Sequence, residues 1–189
     1  ARMAHGVKRS VVLNVHQTLH GYADGHQQLA ASVMLKPRDI KTMLVLSDIS
    51  GPGVFVDNDG YLTGYPLPES KVYALARTWS APEMPRPGCV WTHTLLIDFA
   101  DLATLADPAS ILSLFRRPNM GDIADYGTNL SVSAGQSPSG LSTDAVDFAR
   151  QLLAGLYGKP HSRVIAARPA TLDVDPVVMA LWAQQWPRL

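Results

Sequence analysis

Three histidines, His16, His20 and His26, lie close together early in the chain, and His93 sits in a later apolar stretch. Imidazole titrates near neutral pH, so these side chains are the first candidates for proton transfer, ligand binding or metal ligation. Spacing limits what they can do. Along a strand His16 and His20 are about 13 Å apart and cannot share a metal ion. Across a hairpin His20 and His26 would be diagonal neighbours at roughly 7–8 Å, so a shared metal would need a third ligand from elsewhere. No metal or other cofactor is expected. The plainer reading of these histidines is a solvated or loop-covered polar face bonded to backbone carbonyls. His93 alternates with Cys89, Trp91, Leu95 and Ile97, which places it on the apolar side of its strand. A core histidine there is the ordinary outcome; across a cleft from the hairpin it would instead be an acid or base. Arg77 shares a strand face with Tyr73, Leu75 and Trp79, where a guanidinium could stack, bind a carboxylate or phosphate, or snorkel to solvent.

The elements that must position these residues follow from periodicity. Val11, Leu13, Val15 and Leu19 alternate with Asn14, His16, Thr18, His20 and Tyr22, the pattern of a half-buried strand. Ala23-Asp24-Gly25 is the turn, and the return strand spans 26–34. A two-residue turn would take Leu29 and Val33 off the face of Leu19 and Val15. A three-residue loop with Gly25 left-handed pairs Leu19 with Leu29 and Val15 with Val33. That register gathers His20, Tyr22, His26 and Gln28 on the other face, beside Asp24. The candidate binding residues are therefore His20, Tyr22, Asp24, His26, Arg77 and His93, with none assigned as catalytic.

Pro37 at a first helical position, followed by Ile40, Met43 and Leu44, predicts a helix over 37–47. A second hairpin is expected from 54–56 and 61–65 around Asp57-Asn58-Asp59-Gly60, then strands near 71–79 and 88–97. Asp107-Pro108 opens a helix that stops at Arg117-Pro118. Residues 119–142, rich in Gly, Ser, Asn and Asp, read as a weakly ordered loop. Ser142 caps a helix ended by Gly158, 163–168 is a short strand candidate, and Asp175-Pro176 opens a last helix through Trp186. Val177, Val178, Met179, Leu181, Trp182 and Trp186 make that helix apolar nearly all round, so it is expected to need a covering partner. A second copy of 174–189, or downstream sequence, would supply it. The fold class is α+β, an antiparallel, hairpin-rich sheet with several packed helices. Residues 1–170 form the α+β domain and 171–189 begin a following helical segment of a longer protein.

Composition narrows the function classes. Sixteen basic and sixteen acidic residues balance, and the basic ones are scattered, which argues against nucleic acid as a partner. The single cysteine, Cys89, fits a reducing cytoplasm and excludes an internal disulfide. No apolar run is long enough to span a membrane. There is no phosphate-binding Gly-Lys loop, no Gly-x-Ser-x-Gly elbow and no His-Glu-x-x-His. The 57–60 turn lacks the spacing and closing acid of a calcium loop.

Several blocks carry a family resemblance: His16-Gln17-Thr18-Leu19-His20-Gly21-Tyr22-Ala23-Asp24-Gly25-His26-Gln27, then Ser47-Asp48, Gly60-Tyr61-Leu62-Thr63-Gly64-Tyr65-Pro66-Leu67, Tyr73-Ala74-Leu75-Ala76-Arg77-Thr78-Trp79 and Arg86-Pro87-Gly88-Cys89-Val90-Trp91-Thr92-His93-Thr94-Leu95-Leu96. Over 10–115 the chain resembles the N-terminal domain of the bacterial GTPase-associated protein 1 family, and its closing Trp182–Leu189 run is similar too. The resemblance implies a component of multi-gene bacterial conflict systems, in anti-phage defence or regulated cell death, acting beside a GTPase or related NTPase switch and its effectors. It implies an adaptor more than an enzyme and supplies no catalytic residue. The alternative is an enzyme or small-ligand sensor, with a nucleotide as one ligand, built on the hairpin-tip histidines. An enzyme needs those side chains to converge in one pocket, whereas an adaptor needs an exposed apolar or mixed patch.

Overall fold

A computed structural model describes residues 12–48, 59–105, 108–133, 140–158 and 163–183. Its centre is an antiparallel sheet in the order β2-β1-β5-β4-β3, with β6 adding to the first residues of β1. The strands are β1 (Val12–Tyr22), β2 (His26–Ala31), β3 (Tyr61–Leu67), β4 (Val72–Ser80), β5 (Val90–Asp98) and β6 (Leu130–Ser133). Helices α1 (Pro37–Ser47), α2 (Phe99–Leu102), α3 (Thr143–Gly158) and α4 (Asp175–Ala183), with two 3-10 segments, Pro108–Leu114 and Ile123–Gly127, complete the α+β fold. Among the described residues no helix is long and apolar enough to cross a membrane.

Central β5 is buried from Val90 to Ile97, so both faces of the sheet are covered. One face carries Leu13, Val15, Leu75, Leu95 and Ile97 and packs under the first 3-10 segment and Met179 of α4. The other carries Tyr65, Leu67, Val72, Ala74 and Leu96 and packs under Met43 of α1. Helix α1 starts with Pro37, whose missing N–H is harmless there. Its buried Asp39 accepts the backbone N–H of Ser70 at 2.6 Å, pinning the helix to the β3–β4 turn.

The first hairpin has the expected three-residue loop: Tyr22 pairs with His26, His20 with Gln28, and Gly25 has a φ of 134°. Asp24, at φ 56°, shares the left-handed backbone. The expected pairing of Leu19 with Leu29 is wrong, because a bulge between Leu19 and His20 sets Leu19 opposite Ala30. A bulge leaves one residue of its strand unpaired and locally increases the twist. Leu29 still packs near Leu19, whereas Val33 joins Met43 on the opposite face from Val15.

Four other expectations change. The 108–114 segment is 3-10 rather than α-helical. Within 119–142 lie the second 3-10 segment, whose Tyr126 is buried, and β6, paired with Val12–Val15. Residues 163–169 form no strand. The apolar residues of α4 are largely covered from within: Val177 packs on Phe148 of α3, Met179 enters the sheet core, and the Trp182 ring packs tilted against Tyr73 with ring centres 4.6 Å apart. The expected strand at 54–56, the cap at Asp107 and Trp186 lie outside the described residues.

Candidate functional site

Strand alternation divides the candidate residues between two faces of the sheet. Gln17, Leu19, His93 and Arg77 project to the side of α4; Thr18, His20, Thr92, Thr94 and Thr78 project to the side of α1. His93 and Arg77 are direct cross-strand partners, yet they sit on the opposite side of the sheet from His20 and His26. The six residues therefore do not converge on one cleft.

His93 is sealed in the core, edge-on to Phe115 and Tyr126. Its Nδ1 accepts the Arg116 backbone N–H at 3.2 Å, so in the neutral ring Nε2 carries the proton. Nε2 donates to Gln17 Oε1 at 2.9 Å, while the Gln17 amide donates to the carbonyls of Asp125 and Thr128. Every polar atom of this pair is used. Burial, helped by the nearby Arg116 charge, lowers the His93 pKa to about 3, which keeps the ring neutral. Arg77 reaches the Asp175 carboxylate at the start of α4 and the Asp59 carbonyl, with its guanidinium 5.5 Å from the Phe115 ring centre. Both residues hold the fold together.

The hairpin tip is different. His20 is fully buried and stacks on His26, with ring centres 6.0 Å apart and planes 20° off parallel. Burial, then the proximity of His26, lowers the His20 pKa to about 4. Burial also lowers the pKa of His26, against the pull of Asp48 in the other direction. Ser47 Oγ donates to the Leu44 carbonyl and so accepts from His26 Nε2 at 2.9 Å. Asp48 ends α1 beside this pair. A cleft of about 280 Å³ opens there, bordered by Tyr22, His26, Asp48, Arg86 and Cys89, with the Arg86 guanidinium 6.0 Å from the Tyr22 ring centre. Asp24 stays exposed at the tip and is not part of the cleft wall.

Behind the cleft the α1-facing side of the sheet is polar although buried. One cross-strand row runs His20, Thr92, Thr78, Tyr61, and the next runs Thr18, Thr94, Ala76, Thr63. Thr78 and Thr92 bond to each other at 2.9 Å, and Thr92 donates to the Ser47 carbonyl at 2.7 Å. Both nitrogens of His20 and the hydroxyls of Thr18, Thr63, Thr94, Tyr61 and Tyr65 have no hydrogen-bond partner among the described residues. Burial raises the pKa of both Tyr61 and Tyr65, against the opposing pull of the Thr78 and Thr94 hydroxyls beside them. Such a buried group costs about 1–3 kcal/mol when left unmet. Of the solvated or loop-covered face expected here, the part around His20 is covered, and among the described residues neither His20 nor His26 bonds a backbone carbonyl: His26 bonds the Ser47 hydroxyl instead. Among the described residues no group of three or more His, Cys, Asp or Glu could hold a metal ion.

Sequence reasoning missed Gln17, Asp48, Arg86, Tyr126 and Asp175. Gln17 left a signal as a polar side chain at the apolar parity of β1, and Asp48 and Arg86 stood inside the blocks that carry the family resemblance. The threonine rows look in sequence like any solvated strand face.

The family model for GTPase-associated protein 1, N-terminal domain type 1, matches residues 14–115, more than half of the chain, and spans β1 to the first 3-10 segment. No curated protein and no solved structure matches.

Proposed function

Because the chain belongs to this GTPase-associated family, we propose that it is a non-catalytic docking module that binds a GTPase or related NTPase switch, and effector proteins, within a multi-component bacterial conflict system. The observation that carries the reading is the outer surface of α1. An ordinary packed helix turns polar residues to solvent. Here Val45 is 71% exposed, Ile40 and Leu44 follow one another by a turn with more than a third of their surface open, and the adjoining Met34 is 93% exposed. Beside them a groove of about 360 Å³ runs along Val33, Leu35 and Ile40 next to the edge strand β2. Apolar surface of this kind beside an open strand edge suits a protein partner.

The splitting of the titratable residues supports the same reading. His93 and Arg77 are consumed in internal contacts on the other side of the sheet, so neither joins the hairpin histidines in the shared site that the enzyme reading asked of these residues. A single cysteine fits a reducing cytoplasm. The second reading, a small-ligand sensor at the hairpin tip, is favoured by the cleft beside His26, Asp48 and Arg86.

The test uses the purified chain and a GTPase encoded beside it. Binding should be abolished by Val45→Asp and Met34→Asp with the melting temperature unchanged, because both side chains are already in water. Binding that survives both substitutions, or a GTPase that does not bind at all, would overturn the proposal.

A further inference from the structure

Two opposite charges, Asp48 and Arg86, border the tip cleft, and among the described residues neither forms an ion pair, with the other or with anything else. Arg86 belongs to the loop between β4 and β5, which is anchored from below. Met84 is buried in the same core cluster as Trp91, while Glu83 accepts the Trp91 indole N–H at 2.7 Å and the Arg117 guanidinium at 2.8 Å. The acid of that loop is therefore already taken, and Arg86 is left exposed with its guanidinium 6.0 Å from the Tyr22 ring centre.

Asp48 stands at the C-cap of α1, where the helix dipole is negative and no basic residue occupies the last turn to offset it. A carboxylate kept there opposes the helix. Beside it His26 commits Nε2–H to the Ser47 hydroxyl, so in the neutral ring the other nitrogen is an acceptor. The α1 border of the cleft thus offers negative charge and hydrogen-bond acceptors, and the loop border offers a guanidinium. A lone anion drawn to Arg86 would be repelled by Asp48, and a lone cation would meet the reverse. A molecule that carries both charges satisfies both borders.

We infer that the tip cleft binds a small zwitterion of the amino-acid class, its ammonium group donating to Asp48 and His26 and its carboxylate held by Arg86. The cleft volume, about 280 Å³, lies just below the range of roughly 300–1,000 Å³ typical of drug-sized ligands, so a molecule of amino-acid size fits. Tyr22, Pro87 and Val90 supply an apolar wall for its side chain. This site rests on the small-ligand reading of the hairpin tip, and protein docking on the outer face of α1 is independent of it.

Calorimetric titration of the chain with each standard L-amino acid, beside acetate, methylammonium, AMP and inorganic phosphate, tests the site with the variants Asp48→Asn and Arg86→Gln. At least one amino acid should bind, and acetate and methylammonium, with one charge each, should bind about tenfold more weakly or worse. Each variant should weaken the amino acid about tenfold or more. Asp48→Asn should also leave the melting temperature of the unliganded chain equal or higher, because it removes a charge that the helix dipole opposes. A merely structural carboxylate would do the reverse, lowering the melting temperature and sparing the ligand. Binding by AMP or phosphate in place of the amino acids would keep a ligand site at the tip and overturn the zwitterion. If no probe binds, the small-ligand reading falls with it. The inference is also overturned if acetate or methylammonium binds as well as the amino acids, or if either variant binds normally.

Discussion

His20 and His26 stack with ring centres 6.0 Å apart, but only His26 has a hydrogen-bond partner among the described residues, the Ser47 hydroxyl at 2.9 Å. One ring is anchored and the other is held by packing alone. Both have their pKa lowered, and burial is the first cause in each.

Acid should therefore unfold the chain through its histidines before its carboxylates. The unfolded state binds a proton at each histidine near pH 6.5, whereas folded His20 resists until about 4 and folded His93 until about 3. The stability from this difference is complete above pH 6.5 and falls as the pH drops through that window. Its size for His20 is on the order of 3 kcal/mol. Melting temperature measured against pH should decline from pH 6.5 downward, and His20→Phe should flatten part of the decline. A melting temperature constant from neutrality to below pH 5 would show that the imidazoles are not shielded.

Gln17→Leu should cost more than about 2 kcal/mol. It strands the Nε2–H of His93 and the carbonyls of Asp125 and Thr128 at once, and leucine offers none of them a partner. Urea unfolding measures the loss. A cost no larger than that of an exposed substitution would mean the network contributes little.

The Arg77 and Asp175 side chains are 16% and 28% exposed, which places their ion pair between a surface bridge and a sealed one. A double-mutant cycle with Arg77→Ala and Asp175→Ala should return a coupling of about 1 kcal/mol. Each single variant should also change the fluorescence of Trp182, which α4 holds against Tyr73. Additive effects would separate α4 from the sheet energetically.

Two glycines of the hairpin should fail for different reasons. A Cβ on Gly21 would meet the Trp91 ring at 2.4 Å, so Gly21→Ala overpacks the core and should cost about 1–3 kcal/mol. A Cβ on Gly25 meets nothing within 4 Å, but φ of 134° strains any side chain, and Gly25→Val should cost more than about 1 kcal/mol. Thermal melts compare them. Equal tolerance at both positions would contradict the packing of Trp91 under the hairpin.

By itself the sequence determined the local elements and the family. Alternation marked β1 and β5, Ala23-Asp24-Gly25 marked a three-residue turn, and Pro37 marked the start of α1, because each depends on neighbours only a few residues away. The blocks between His16 and Leu96 carried the family resemblance. Only the tertiary structure decided the rest. Period-two patterning says which residues share a face and is silent on what covers that face. His93 meets Gln17 across 76 positions and Arg77 meets Asp175 across 98, pairings no local pattern records. The bulge leaves Leu29 without a pairing partner and shifts the register by one residue, which a face-matching argument along a regular ladder does not foresee. The threonines and His20 became a buried polar layer only in the folded chain, where the Ser47 carbonyl at the end of α1 closes on Thr92, since the same alternation under water would be an ordinary strand surface.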